Sequence, residues 1–245
     1  MYRNTSFNAL PEVVRNLLII NGLLFLGTIS LEGYGINLTK IFALHQFQSI
    51  DFMPHQLITH FFMHANFTHL FFNMFALWMF GKILEDVWGA KRFLIYYMFT
   101  GLGAAILHLA ISQYEILDLQ SQLNAYDLNI LLENGKNILE GNQNYSNKIM
   151  GKLNLLINTP TVGASGAVFG ILLAFGMLFP NTLLYIYFAI PVKAKYFVIL
   201  YGFIELYLGL SNNPADNVAH FAHLGGMLFG FLLLKYWEKN NNRFY

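Results

Sequence analysis

The sequence predicts an all-α membrane protein that crosses the bilayer six times, with both termini cytoplasmic. Three observations predict it. Charged residues make up 11% of the 245 and hydrophobic residues 56%, against about 25% charged in an ordinary soluble domain. Apolar segments of membrane length, or near it, recur six times along the chain. Lys and Arg gather on one side of those segments, and such a bias marks the cytoplasmic side.

Taken in order, the first span covers 13–29. Arg3 and Arg15 precede its apolar run, as in a signal peptide. The small-residue cleavage pattern is missing after it, so it reads as an uncleaved span interrupted by Asn16 and Asn21. The stretch 42–63 is mixed, with Pro54 and several His, and reads as an interfacial loop carrying short amphipathic helices. Spans two and three cover 67–83 and 93–111. The segment 113–158 is rich in Asn, Leu, Lys and Glu and does not span. Leu119, Leu123, Leu128, Leu131 and Leu132 hint at amphipathic helix within it, so it reads as an external helical insertion. Spans four, five and six cover 161–179, 196–210 and 218–237. The whole is one membrane domain over 1–238 with a cytoplasmic tail at 239–245.

Arg3, Arg15, Lys82, Lys91, Arg92, Lys193, Lys195, Lys235, Lys239 and Arg243 fall on one side. Only Lys40, Lys136, Lys148 and Lys152 fall on the other. The bias agrees with an even number of spans. A net charge of +1 gives no case for nucleic acid. The absence of Cys excludes disulfides and thiol chemistry.

Three polar elements stand out inside this apolar chain. Ser165 lies in Thr161-Val-Gly-Ala-Ser-Gly-Ala-Val-Phe-Gly170, after Pro160, at the start of span four. Backbone N–H groups without partners collect at a helix start and favour negative charge, so an oxyanion formed by attack of Ser165 would be stabilised there. Taken alone the segment is better read as small-residue packing, because Gly166 and Gly170 form a small-xxx-small pair. Span six carries Ala219-His-Phe-Ala-His223-Leu-Gly-Gly226-Met-Leu-Phe-Gly230. An ionisable side chain within a membrane is costly and points to function. His223, Gly226 and Gly230 share a face that can approach the Gly166/Gly170 stripe. Spans four and six run in the same direction, and His223 and Ser165 lie at similar depth, so Ser and His can pair as nucleophile and base. The bland alternative is a buried His bonded to a carbonyl. His220 lies three residues earlier on nearly the same face and is open as a second polar group or as the base; the glycine spacing starts at His223. The third element is His64-Ala-Asn-Phe-Thr-His69-Leu-Phe-Phe-Asn73. His69 and Asn73 are one turn apart and are neutral donors suited to an oxyanion site. Interhelical glue, or an Asn66/Thr68 cap, is the competing reading.

Together, in the second, fourth and sixth spans, these elements resemble the rhomboid family of intramembrane serine proteases. The residues carrying the resemblance are His64-x4-His69-x3-Asn73, Gly163-Ala-Ser165-Gly166 and Ala222-His223-x2-Gly226-x3-Gly230. Phe80 to Gly89 and Phe179-Pro180-Asn181 are similar to the family as well. The resemblance implies a six-helix bundle with a water-filled cavity open to the outside. It implies Ser165 as nucleophile and His223 as general base, with no acidic third member. His69 and Asn73, with the Ser165 N–H, would form the oxyanion hole. Phe169 would pack against the His223 ring, and His64 would be structural or water-holding. Many members carry Trp-Arg after the first span; His55-Gln56 stands near that place here, which implies a lost anchoring contact.

The implied partners are transmembrane protein substrates and the lipid bilayer, without nucleic acid, cofactor or metal. The expected location is the inner membrane of a bacterial cell. Two rivals stand beside this reading. One is a catalytically silent binding module of the same fold, which would lack the serine or the histidine. The other is a transporter lined by His60, His64, His69, His220 and His223. The His positions do not match zinc spacing on one helix, and no intramembrane carboxylate is expected to pair with them.

Overall fold

In lipid every backbone N–H and C=O must find its partner within the chain, so an apolar chain of this length folds as helices. The computed structural model describes residues 10–186, 189–211 and 218–240. Arg3, Arg243 and residues 241–245 of the expected tail lie outside the described residues. Helix α1 spans Glu12–Glu32, and short helices α2 (Leu38–Phe42) and α3 (Gln56–Thr59) follow in the loop after it. Helix α4 (Phe67–Ala76) continues through a π-helical turn, Leu77–Gly81, into α5 (Lys82–Trp88). Helix α6 covers Ala90–Ser121. Helices α7 (Ala125–Glu140) and α8 (Lys148–Asn158) build the insertion. Helix α9 spans Ser165–Leu178. An antiparallel hairpin of β1 (Leu183–Ile186) and β2 (Ile190–Lys193) joins it to α10 (Ala194–Ser211), and α11 covers His220–Asn240.

The chain is a polytopic helical membrane protein. Among the described residues, four helices are long and apolar enough to cross a membrane: Glu12–Glu32, the continuous Phe67–Trp88, Ala90–Ser121 and Ala194–Ser211. Helix α9 is shorter, at 14 residues, and is apolar all round, as befits a helix enclosed by others.

Contacts at one end of the bundle tie distant parts of the chain. Helix α1 starts after Pro11 without a side-chain cap. The buried Glu85 carboxylate takes that role, accepting the N–H groups of Val13 and Val14 at 2.8 Å each. The Arg92 guanidinium lies 4.6 Å from the centre of the Trp237 ring. The starts of α1 and α6, the end of α5 and the end of α11 therefore share one end.

Helices α6, α9 and α11 pack at the centre through small residues. A Cβ on Gly226 would overlap the Gly166 carbonyl oxygen, so α9 and α11 touch backbone to backbone. The rest of the expected glycine-on-glycine stripe is divided differently. Gly170 faces Thr100 and Gly230 faces Tyr96, both on α6. Helix α6 wedges into the groove between the other two, and the Tyr96 hydroxyl donates to the Gly170 carbonyl at 2.9 Å.

The segment 113–158 begins as the last turns of α6 and returns through α7 and α8. Ile116, Leu119, Leu131, Met150, Leu153 and Ile157 form a separate small core. Lys152 pairs with Glu115, and Lys136 pairs with Asp51 in the loop between α2 and α3. Burial pushes the Asp51 carboxyl up, but hydrogen bonding and charge from Lys136, helped by Lys40 and His45, outweigh burial and leave it below its ordinary value.

That α2–α3 loop is anchored, contrary to the loss expected from His55-Gln56. Gln56 is fully buried. Its amide donates to the Asp51 carbonyl at 2.8 Å and accepts from the Met53 N–H at 3.1 Å. His55 Nε2 reaches the Ile41 carbonyl at 2.8 Å. A glutamine carries donor and acceptor on one short arm, so one side chain closes the loop from inside.

Candidate active site

The segment entering α9 is fixed before the helix begins. Leu44 and Thr161 exchange backbone hydrogen bonds of 2.9 and 2.8 Å. The Gly163 N–H donates to the His60 carbonyl at 2.9 Å, and His108 Nε2 lies 2.9 Å from the Thr161 hydroxyl. Gly163 then turns with φ of +125°, a conformation open to glycine and hostile to side chains. A Cβ there would also lie 2.8 Å from the His69 ring. The turn delivers Ser165 as the first residue of α9. The N–H groups of Ser165, Gly166 and Ala167 have no acceptor within the helix, since its first such bond runs from Val168 N–H to the Ala164 carbonyl at 2.9 Å.

Helix α11 brings His223 to the same place. His223 Nε2 lies 2.9 Å from Ser165 Oγ. The Phe169 ring, one turn along α9, stacks on the His223 ring at 4.1 Å and 6°. The imidazole therefore cannot rotate away from the serine without breaking that stack. Its other nitrogen, Nδ1, lies 2.8 Å from Glu205 Oε2 on α10. His220 Nδ1 reaches the same oxygen at 2.6 Å. His220 is thus turned to Glu205, and the nitrogen facing Ser165 belongs to His223.

Helix α4 also reaches the segment that enters α9. Asn66 caps it by accepting the His69 N–H at 2.8 Å. The cap sets the first turn, and the His69 ring lies over Gly163. His64 sits 5.1 Å away, ring to ring. Asn73 is buried, and its amide donates to the His69 carbonyl at 2.9 Å. One of its two N–H donors is thus committed within its own helix. A recess next to Ser165 is lined by His60, Gly163, Gly166, Ala219 and Ala222.

Glu205 is the residue the sequence reading passed over, and the expectation that no intramembrane carboxylate would pair with the histidines is wrong. The signal was available: an ionisable residue in the apolar run of span five is itself a mark of function. Glu205 shares the inner face of α10 with Ala194 and Val198, the other buried residues of that helix. Gly202 and Gly209 flank it and lie against Met227 and His220 of α11, so α10 comes close enough for a short carboxylate arm to reach both rings. Glu205, His220 and His223 place three ligand-type atoms within 4.8 Å of one another. Both imidazole nitrogens address one carboxylate oxygen at hydrogen-bond distance, as two N–H donors on one anion do.

A hydroxyl hydrogen-bonded to an imidazole, beside unpaired N–H groups at a helix start, suits acyl transfer. Comparison with known proteins gives the family. Rhomboid protein 1, mitochondrial, of Saccharomyces cerevisiae is 26% identical over 186 residues, covering 74% of this chain and 42% of that protein. Rhomboid protease AarA of Providencia stuartii is 29% identical over 175 residues, 70% of this chain and 51% of its own length. Rhomboid protease GluP of Bacillus subtilis is 25% identical over 182 residues, 72% of this chain and 24% of its own. The chain thus spans about half or less of these three relatives. The Rhomboid domain matches residues 51–238. That match runs unbroken from the Gln56 loop through α4, α9 and α10 to α11, and so takes in every residue around Ser165: the chain belongs to the rhomboid family.

Proposed function

We propose that the chain is an intramembrane serine protease that hydrolyses peptide bonds in or near transmembrane segments of other membrane proteins. The observation that carries the proposal is the 2.9 Å approach of His223 Nε2 to Ser165 Oγ, with the ring held by Phe169. The named proteases among its relatives support the reaction class.

In the proposed reaction His223 Nε2 takes the hydroxyl proton as Ser165 Oγ attacks the scissile carbonyl. The developing oxyanion is met by the N–H groups at the start of α9, with His69 beside them and Asn73 one turn below. The protonated His223 then gives its proton to the leaving amine, and water releases the acyl group by the reverse sequence. A substrate helix must unwind locally first, because its carbonyls are otherwise hydrogen-bonded and shielded. The length of α9 favours chemistry below the surface. Fourteen residues rise about 21 Å, less than the roughly 30 Å of the hydrocarbon core.

Six spans with both termini in the cytoplasm complete the proposal. The charge bias supports that orientation, and so does the shared end of α1, α5, α6 and α11. We place the protein in the inner membrane of a bacterial cell; its relatives include bacterial proteins beside mitochondrial and chloroplastic ones. The test is cleavage of a transmembrane substrate by purified wild type and Ser165→Ala in detergent, beside labelling by a fluorophosphonate. Cleavage and labelling by wild type alone are expected. Equal cleavage by both proteins would refute the assignment.

A further inference from the structure

The structure points to Glu205 as the third member of the reacting group: we infer that its carboxylate fixes the proton of His223 on Nδ1 and thereby leaves Nε2 free to take the proton of Ser165. Resting on the serine-protease reading, this inference concerns how that site is kept in its working state.

An imidazole has two tautomers, and only one can act as base toward Ser165. If the proton sits on Nε2, that nitrogen is a donor and cannot accept from the hydroxyl. The 2.9 Å contact with Ser165 Oγ is compatible with either tautomer taken alone. The contact on the other side decides between them. An ionised carboxylate only accepts, so His223 Nδ1, 2.8 Å from Glu205 Oε2, must carry the proton. His220 Nδ1, 2.6 Å from the same oxygen, must carry one as well. Two N–H donors converging on one oxygen are what keeps a carboxylate ionised when it is buried within a helix bundle. His220 thereby helps to hold Glu205 as an acceptor.

The arrangement also bears on the reaction itself. When His223 takes the serine proton it becomes an imidazolium, stacked on Phe169 and shielded from solvent. A carboxylate 2.8 Å from its far nitrogen stabilises that cation as it forms. Glu205 does not touch the substrate or the serine, so it is a positioning residue. Its role differs from plain helix packing, although it also helps to tie α10 to α11. A metal in the same place would need the Nδ1 lone pairs. His223 would then carry its proton on Nε2, facing Ser165, and could not act as base.

Wild type, Glu205→Gln, Glu205→Asp and Ser165→Ala are purified in detergent and assayed on one transmembrane substrate, with kcat and KM measured separately. Wild-type protein labelled with nitrogen-15 at histidine gives the tautomer of His223 by NMR. The inference expects a proton on Nδ1 of His223 in the wild type. In Glu205→Gln it expects kcat to fall roughly ten- to hundredfold, the worth of a hydrogen bond to a charged group, with KM nearly unchanged. Glu205→Asp, which keeps the charge, should recover part of that loss. A wild-type proton on Nε2 overturns the inference, and does so even if both variants fail to fold. So does a Glu205→Gln kcat within about twofold of wild type, or a wild-type rate that depends on added zinc or falls with a chelator. If wild type cleaves no faster than Ser165→Ala, the protease reading falls instead, and the tautomer measurement still decides the role of Glu205.

Discussion

Alanine in place of Gly226 adds one methyl group where α11 crosses α9. That methyl would lie 2.7 Å from the Gly166 carbonyl carbon and would overlap its oxygen. Carbon atoms in ordinary contact sit about 3.5–4.0 Å apart. Backbone cannot swing aside as a side chain can, so the two helices must part locally by at least about 1 Å. Ser165 precedes Gly166 on α9, and His223 lies one turn before Gly226 on α11. The 2.9 Å contact between His223 Nε2 and Ser165 Oγ would open by a similar amount and leave hydrogen-bond reach. A misplacement of about 1 Å costs roughly 10² in rate, and overpacking of this kind costs about 1–3 kcal/mol of stability. Gly226→Ala is therefore expected to label with a fluorophosphonate about a hundredfold more slowly and to melt at a lower temperature. Gly22→Ala on α1 is the matched control, because nothing lies within 4 Å of its added Cβ. There the same change should leave labelling intact and stabilise the helix by about 0.5–1 kcal/mol. Labelling of Gly226→Ala within about threefold of wild type, with an unchanged melting temperature, would refute the claim that this crossing sets the serine–histidine distance.

Three further outcomes are expected. Glu85→Gln keeps one acceptor of the two that hold Val13 and Val14 N–H; thermal melts should record a loss of about 1–2 kcal/mol, with fluorophosphonate labelling of the surviving fold unchanged. The Asp51–Lys136 clamp should weaken only in acid: a carboxyl held below its ordinary value contributes stability above the unfolded pKa near 4 and loses it as pH falls through the folded value. Lys136 is shifted up, first by its hydrogen bond to Asp51, so its share persists to alkaline pH; the opening free energy of 125–158, taken from hydrogen exchange after division by the intrinsic exchange rate at each pH, should be flat from about pH 5 to 9 and fall below about pH 4 in wild type, and an equal fall in Lys136→Ala would show that another group is responsible. His69→Ala should lower kcat/KM by roughly 10²–10³, while Asn73→Ala, whose amide already serves the His69 carbonyl, should cost nearer tenfold; the reverse order would remove His69 from the oxyanion site.

Periodicity and charge made the helical membrane fold legible, because burial in lipid leaves apolar runs and a cytoplasmic bias as plain marks on the sequence. The pairing of Ser165 with His223 was legible from small residues spaced along α9 and α11. What the sequence did not reveal was which helix each glycine would meet. Gly170 and Gly230 turn to Thr100 and Tyr96, since α6 fills a groove that no one-dimensional pattern records. Glu205 was missed for a related reason. Its partners lie 15 and 18 residues away on another helix, and its meaning depends on α10 lying against α11. Gln56 was misjudged because a side chain of another type stands where the family pattern has Trp-Arg. It satisfies the loop by a different set of hydrogen bonds.

The polar groups around Ser165 owe their positions largely to backbone outside the long helices. The Leu44–Thr161 bridge, the Gly163–His60 bond and the Asn66 cap together fix the entry to α9 and the His69 ring. Gln56 holds the loop that carries Leu44 and His60, and α8 of the insertion runs directly into Thr161. The helices supply the partners from below: His223, Phe169 and Glu205. Loop segments set where the nucleophile and His69 stand; packed helices set where the base stands and which tautomer it holds. A perturbation of the insertion should therefore displace Ser165 and His69 together, relative to a His223 that stays in place. Substitutions on α10 or α11 should move the base while leaving the serine where it is. The site is divided along the line of the Ser165–His223 hydrogen bond, and that bond is the quantity to which both halves of the structure contribute.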